Sequence, residues 1–155
     1  MSAMKKDEQL WEPGATPEAN GVPLAEWWRR AAALVIDTAV LWIPLMLATH
    51  SLERLGRIAV WLVVGVVYFS LLNGGARGQT LGKMVWNIRV RDAATGGPLG
   101  PAKAAVRYAV PAVLASFIPI LGLLVWLTDG LWPLWDRRRQ ALHDKVAGSV
   151  VVAAR

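Results

Sequence analysis

The chain has no cysteine and only two histidines, His50 and His143. The first absence excludes a disulfide framework and any thiolate metal site. With so few imidazoles as well, no metal-ligand spacing emerges, and no nucleophile–base pair does either. Charge is also scarce. Asp, Glu, Lys and Arg make up 18% of the 155 residues, against about 25% in soluble domains. Hydrophobic residues reach 55%, and the mean hydropathy is +0.38. That composition excludes an ordinary small soluble domain.

What is present points to a membrane. Nine tryptophans are counted, and tryptophan favours membrane–water interfaces. The net charge is +6. The basic residues flank apolar runs, as expected where Lys and Arg mark the inner leaflet rather than a nucleic-acid surface.

Residues 1–23 are polar, contain Pro13, Pro17 and Pro23, and lack apolar periodicity. They read as a flexible cytosolic tail. Lys5 and Lys6 are followed by no apolar run before Ala31, so no cleavable signal is expected. Trp27 and Trp28 would sit at headgroup level. A first membrane segment is expected over residues 31–49, with Pro44 a candidate kink that a bundle tolerates, and a second over 55–72.

The polar insert 73–103 follows. Thr80 is a candidate N-cap of a short amphipathic helix ending at Asn87 in the left-handed position. Ile88 to Arg91 alternates apolar and basic residues, as a strand does, and 95–98 reads as a turn. Pro101 suits the first turn of a helix.

Residues 104–135 are apolar apart from Arg107 and Asp129. At 1.5 Å per residue this is about 48 Å, too long for one upright span. Ile118 to Gly122 is a natural break, giving segments 104–117 and 121–135. With four segments, 15 basic residues share the side of both termini and 2 lie opposite. With three segments the split is 10 against 7. The positive-inside rule favours four segments and cytosolic termini. The C-tail, 136–155, ends in the β-branched run Val150 to Val152, a candidate partner for the 88–91 strand. The expected fold is an all-α, four-segment transmembrane helical bundle with a small cytosolic cap made of an amphipathic helix and a β-hairpin.

Asp37 is the single charge in the run from Ala31 to Ala48. A carboxyl group at that depth needs protein or water around it. Arg30 lies two turns earlier on nearly the same face, about 10 Å away and too far to touch. The four-segment topology sets Asp129 at a depth similar to that of Asp37, with Arg107 near the same layer. One buried cluster of Asp37, Asp129, Arg107 and Arg30 is therefore expected. It reads either as a cation or proton site or as an interhelical charge network that fixes helix register.

His143 reads as a pH sensor or proton relay, or as a packing residue beside a capping Asp144 that binds backbone amides or Arg30. Adjacent side chains point in different directions on most backbones, so His143 and Asp144 are expected to diverge. GQTLGK is not a phosphate loop, because Arg77 and Met84 occupy positions that need Gly and Ser or Thr. Gly82 and Lys83 read instead as a tight turn and a contact to inner-leaflet lipid. Arg137 to Arg139 read as a topology anchor at an anionic leaflet.

Three stretches, WWRRAAALVID, GQTLGKMVWNIRVRDAATGGPL and DRRRQALHDKVAGSVVV, together resemble the RDD family of small prokaryotic membrane proteins. The resemblance spans about residues 24–152. It maps the family's arginine and two aspartates onto Arg30, Asp37 and Asp144. It maps the middle motif onto Thr80, Gly82 and Lys83, and the tail motif onto the segment from Gln140 to Asp144. Asn87 and Ser149 depart from the usual Gly and Thr. The resemblance implies a multi-pass bacterial plasma-membrane protein with a role in transport. Two function classes stand open at this point: transport of cations or protons through Asp37, and an accessory or scaffold subunit that binds another membrane protein or a second copy. No enzyme activity, cofactor, metal or nucleic-acid partner is expected. The lipid bilayer and its anionic inner leaflet are the expected surroundings.

Overall fold

The computed structural model describes residues 21–117 and 119–154. Most of the tail expected over 1–23, and Ile118 of the break expected over Ile118 to Gly122, lie outside the described residues; Pro119 to Gly122 belong to a helix.

Apolar runs with few helix breakers form two long helices, α1 (Trp27–Thr49) and α2 (Arg54–Gly74). Both are long and apolar enough to cross a membrane. α1 continues through Pro44 without interruption. Then come the short α3 (Leu81–Val85), β1 (Ile88–Asp92), α4 (Pro101–Phe117) and α5 (Pro119–Leu131). A 3₁₀ turn (Trp132–Leu134) leads to α6 (Leu142–Ala147) and β2 (Ser149–Ala153). α4 and α5 have 17 and 13 residues. At 1.5 Å per residue they are about 26 and 20 Å long, short of a bilayer core of about 30 Å.

α4 is the hub, packing against α2, α5 and α6. Gly65 makes the α2 contact possible: a Cβ there would lie 2.0 Å from the Tyr108 hydroxyl. The Tyr108 ring stacks on Phe69, with centroids 4.7 Å apart. α1 packs chiefly on α3 and touches α2 near their far ends. There Trp61 donates to Thr49 at 3.2 Å and Trp42 meets Trp61 edge to face.

The strands pair antiparallel, with Val90 opposite Val151. They are separated by more than fifty residues, so the cap is not the expected β-hairpin. It is a clasp between the insert and the C-tail, and its pairing closes only once α4 and α5 bring the two segments together. The last residues of the expected tail also join it: Ala153 N–H donates to Pro23 O at 2.9 Å, and Leu24 bridges to Val152. Ile88, Val90, Val150 and Val151 are fully buried here. The tightest apolar core therefore lies in the cap. The long helices instead expose large side chains, including Val35, Ile43, Leu47, Val63 and Val67, as helices do when their solvent is lipid.

Candidate functional site

Two buried aspartates organise the interior on the side facing the cap. Asp37, 1% exposed, sits near the middle of α1 and receives three uncharged donors. The Tyr68 hydroxyl from α2 lies 2.9 Å from Oδ1, the Gly82 N–H from α3 is 2.8 Å from Oδ1, and the Thr80 hydroxyl lies 2.5 Å from Oδ2. Thr80 is the N-cap of α3 and also accepts from Lys83 N–H. The first turn of α3 thus aims its free amide and its capping hydroxyl at one carboxyl group.

Gly82 is in a helix rather than the expected tight turn. It is required for close approach, since a Cβ would lie 2.1 Å from the Ala33 carbonyl oxygen. Asn87 does end the segment in the left-handed region, at φ 52°.

α3 is turned in the opposite sense from a helix in water. Leu81, Met84 and Val85 face outward, while Lys83 is buried. Lys83 is therefore not a lipid contact. Its ammonium donates to the Asn73 amide oxygen at 2.9 Å. Burial, reinforced by Arg107, pushes its pKa down to about 7, against the opposing pull of Asp37.

Asp144, fully buried on α6, is held mainly by charge. Arg30 of α1 pairs with Oδ2. Arg107 of α4 reaches Oδ1 through Nε at 2.7 Å and Nη2 at 2.6 Å. The Ser149 hydroxyl adds a bond of 3.0 Å, and Ala141 N–H caps back onto Oδ2 at 3.1 Å. Burial alone would raise this carboxyl group's pKa, but Arg107 and Arg30 hold it well below the usual carboxylate range. Arg30 also donates to the Arg139 carbonyl, and Gln140 Nε2 donates to Ser149 O at 2.7 Å. The first contact fixes the C-tail against α1, and the second closes the C-tail on itself.

Asp129 bonds to His143, through its backbone N–H at 2.8 Å and through Nδ1 of the ring. The other ring nitrogen lies 3.6 Å from Asp144 Oδ1. His143 and Asp144 therefore face the same region, contrary to the expected divergence, because the first turn of α6 sits end-on to α4 and α5. Burial and Arg107 lower the His143 pKa, against the opposing pull of Asp144 and Asp129.

The cluster expected from sequence forms in part. His143 links Asp129 to Asp144, which takes Arg30 and Arg107, while Asp37 has its own set of Tyr68, Thr80 and Gly82. Lys83 lies between these two groups, since its charge is felt against Asp37, Asp144, Arg107 and Arg30 together. Sequence reading missed Tyr68, Asn73 and Ser149. Ser149 follows a Gly in the left-handed region (Gly148, φ 61°), and that glycine was the available signal. Tyr68 and Asn73 carried none, since nothing in an apolar helix marks which polar group faces inward. Among the described residues no group of His, Asp and Glu has the arrangement of a metal site.

This arrangement ties three separated motifs into one interior. A family model described as the RDD family matches residues 24–148, which contain all three anchoring residues Arg30, Asp37 and Asp144. The chain belongs to the RDD family. It is 35% identical over 105 residues to a proline-rich antigen homolog of Mycobacterium tuberculosis, found in two strains, covering 64% of this chain and 40% of that protein. It is 37% identical over 76 residues to the proline-rich antigen of Mycobacterium leprae, covering 49% of this chain and 27% of that protein. The chain thus spans less than half the length of these curated relatives. No solved structure matches it. Among the described residues of this RDD protein, α1 and α2 are the helices of membrane-crossing length.

Proposed function

We propose that this RDD protein is a four-segment bundle in a bacterial plasma membrane, with both termini cytosolic, and that it serves as an accessory or scaffold subunit for another membrane protein. The basic residues flanking the segments support the topology. α4 and α5 then enter from opposite leaflets as a short, bilayer-thinning pair. The observation that carries the accessory reading is the saturation of the buried acids. Asp37 takes three hydrogen bonds and Asp144 takes two guanidinium groups, a hydroxyl and an amide. A carboxyl group so engaged resists exchange with a moving ion, while the same bonds fix helix register.

Cation or proton transport is the second reading, favoured by one observation. Lys83 is a buried amine whose pKa falls to about 7, and the donors bonded to Asp37 are uncharged, so proton loss at Lys83 would leave the Asp37 carboxylate for a cation to balance.

Ion flux in proteoliposomes separates the two. The accessory reading expects no flux from purified protein, a stoichiometric membrane partner on extraction in mild detergent, and an Asp37→Asn variant altered only in yield or stability. Flux that disappears in a well-folded Asp37→Asn variant would overturn it. A reporter fused after Arg155 that reads periplasmic would overturn the topology.

A further inference from the structure

A groove of about 440 Å³ lies outside the buried acids, between the first turns of α4 and the end of α6. Ala102, Val106, Val146 and Ala147 form an apolar floor, and Lys103 and Lys145 are the charged residues lining it. Both lysines are about half exposed and both are held in place. Lys103 pairs with Asp92 at 2.6 Å, and Lys145 pairs with Asp136. The two aspartates are themselves fixed in turns, Asp92 by the amides of Ala94 and Thr95 and Asp136 by those of Arg138 and Gln140. An ammonium has three protons, and one carboxylate oxygen leaves the others available. The groove opens onto a stripe of α4: Val106, Val110 and Val113 are each more than 40% exposed. Their spacing of four and three residues puts them on one face.

We propose that this groove seats one acidic phospholipid, its phosphate between Lys103 and Lys145 and its acyl chains along Val106, Val110 and Val113. Beyond its aspartate bond, each rim lysine keeps ammonium protons that a phosphate can accept. The apolar floor runs on into the exposed valine stripe, as a two-part ligand with a charged head and apolar tails requires. Trp132, exposed and 5.9 Å from the Lys145 ammonium, adds an aromatic side chain suited to headgroup depth. The inference rests on the four-segment reading, which puts the Pro101 end of α4 at the inner leaflet.

The test is native mass spectrometry of the full chain in detergent, titrated with phosphatidylglycerol or with phosphatidylcholine of the same acyl chains. One phosphatidylglycerol should be retained in preference to phosphatidylcholine. The Lys103→Gln/Lys145→Gln variant should lose about thirtyfold in retention, taking about 1 kcal/mol per lysine. Lys103→Arg/Lys145→Arg should keep most of it. Arg137→Gln/Arg138→Gln/Arg139→Gln should keep the preference, because those side chains do not line the groove. Inorganic phosphate at equal concentration should not displace the lipid, since it has no tails for the valine stripe. Equal retention of the two lipids, no loss in the double Gln variant, loss of preference in the triple variant, or displacement by phosphate would each overturn the proposal. Topology fails separately, in the reporter fusion, which does not depend on lipid retention in detergent.

Discussion

Asp37 and Asp144 are both buried and both tie α1 to distant parts of the chain, yet they do so by different means. Around Asp37 every bonded donor is a neutral hydroxyl or amide, and the partners come from α2 and the start of α3. Around Asp144 the principal partners are two arginines, one from α1 and one from α4. The first pocket places dipoles with directional bonds and fixes how close α3 comes to α1. The second neutralises charge and staples the C-tail to the bundle. Removing a neutral donor leaves one unmade hydrogen bond. Removing the Asp144 carboxylate leaves two buried cations facing each other.

That contrast is open to direct tests. The largest effect belongs to Asp144→Asn, which should cost about 3–5 kcal/mol by leaving Arg30 and Arg107 without a counter-charge. Thermal unfolding in detergent measures it, and a cost no greater than that of Asp37→Asn would erase the distinction.

Next is Lys83→Met. The folded pKa is about 7 and the ordinary value 10.5, so between these values the unfolded chain binds more protons than the folded one. Stability should therefore rise as pH increases from about 7 toward 10.5, by about 1.4 kcal/mol per unit of pKa difference at most. Lys83→Met should flatten that rise. An unchanged slope in the variant would show that Lys83 is not the group responsible.

Asp37→Asn should cost about 1–3 kcal/mol, since an amide still accepts from Gly82 N–H but no longer serves all three donors equally. Gly82→Ala should cost a similar amount, because its methyl group meets the Ala33 carbonyl and lifts α3 from α1. If Gly82→Ala is neutral, the close approach of α3 to α1 is not what holds Thr80 and Gly82 at Asp37.

The smallest effect is expected at His143→Gln, about 1 kcal/mol, because the backbone bond from residue 143 to Asp129 remains. A loss as large as that of Asp144→Asn would make the His143–Asp129 pair a third anchor of equal weight.

Much of this fold was legible along the chain. The long apolar runs gave α1 and α2, Thr80 and Asn87 marked the ends of the α3 segment, and the β-branched run 150–152 marked β2. The pairing of β2 with the 88–91 strand was also readable, because each segment is a short edge that needs a partner. What failed was the grouping of Asp37 with the other charges. Depth along a helix axis puts Asp37 and Asp129 in one layer, but it does not give the direction each faces. Asp129 turns to His143 in the first turn of α6, and Asp37 turns to α3. Lys83 was misread for a related reason: a lysine beside apolar residues is placed outward when the solvent is water, whereas here the apolar residues of α3 face outward and the amine faces in.

The sequence by itself determined the helices of membrane-crossing length, the ends of the short elements and the residues that must find partners in the interior, because those follow from local hydropathy, capping and the cost of burying charge. Only the tertiary structure decided which partner each buried group takes. Tyr68, Asn73 and Arg107 reach Asp37, Lys83 and Asp144 across 31, 10 and 37 residues of chain. Contacts at such separations are set by how α2, α3 and α4 pack against α1 and α6, and no local pattern encodes that packing.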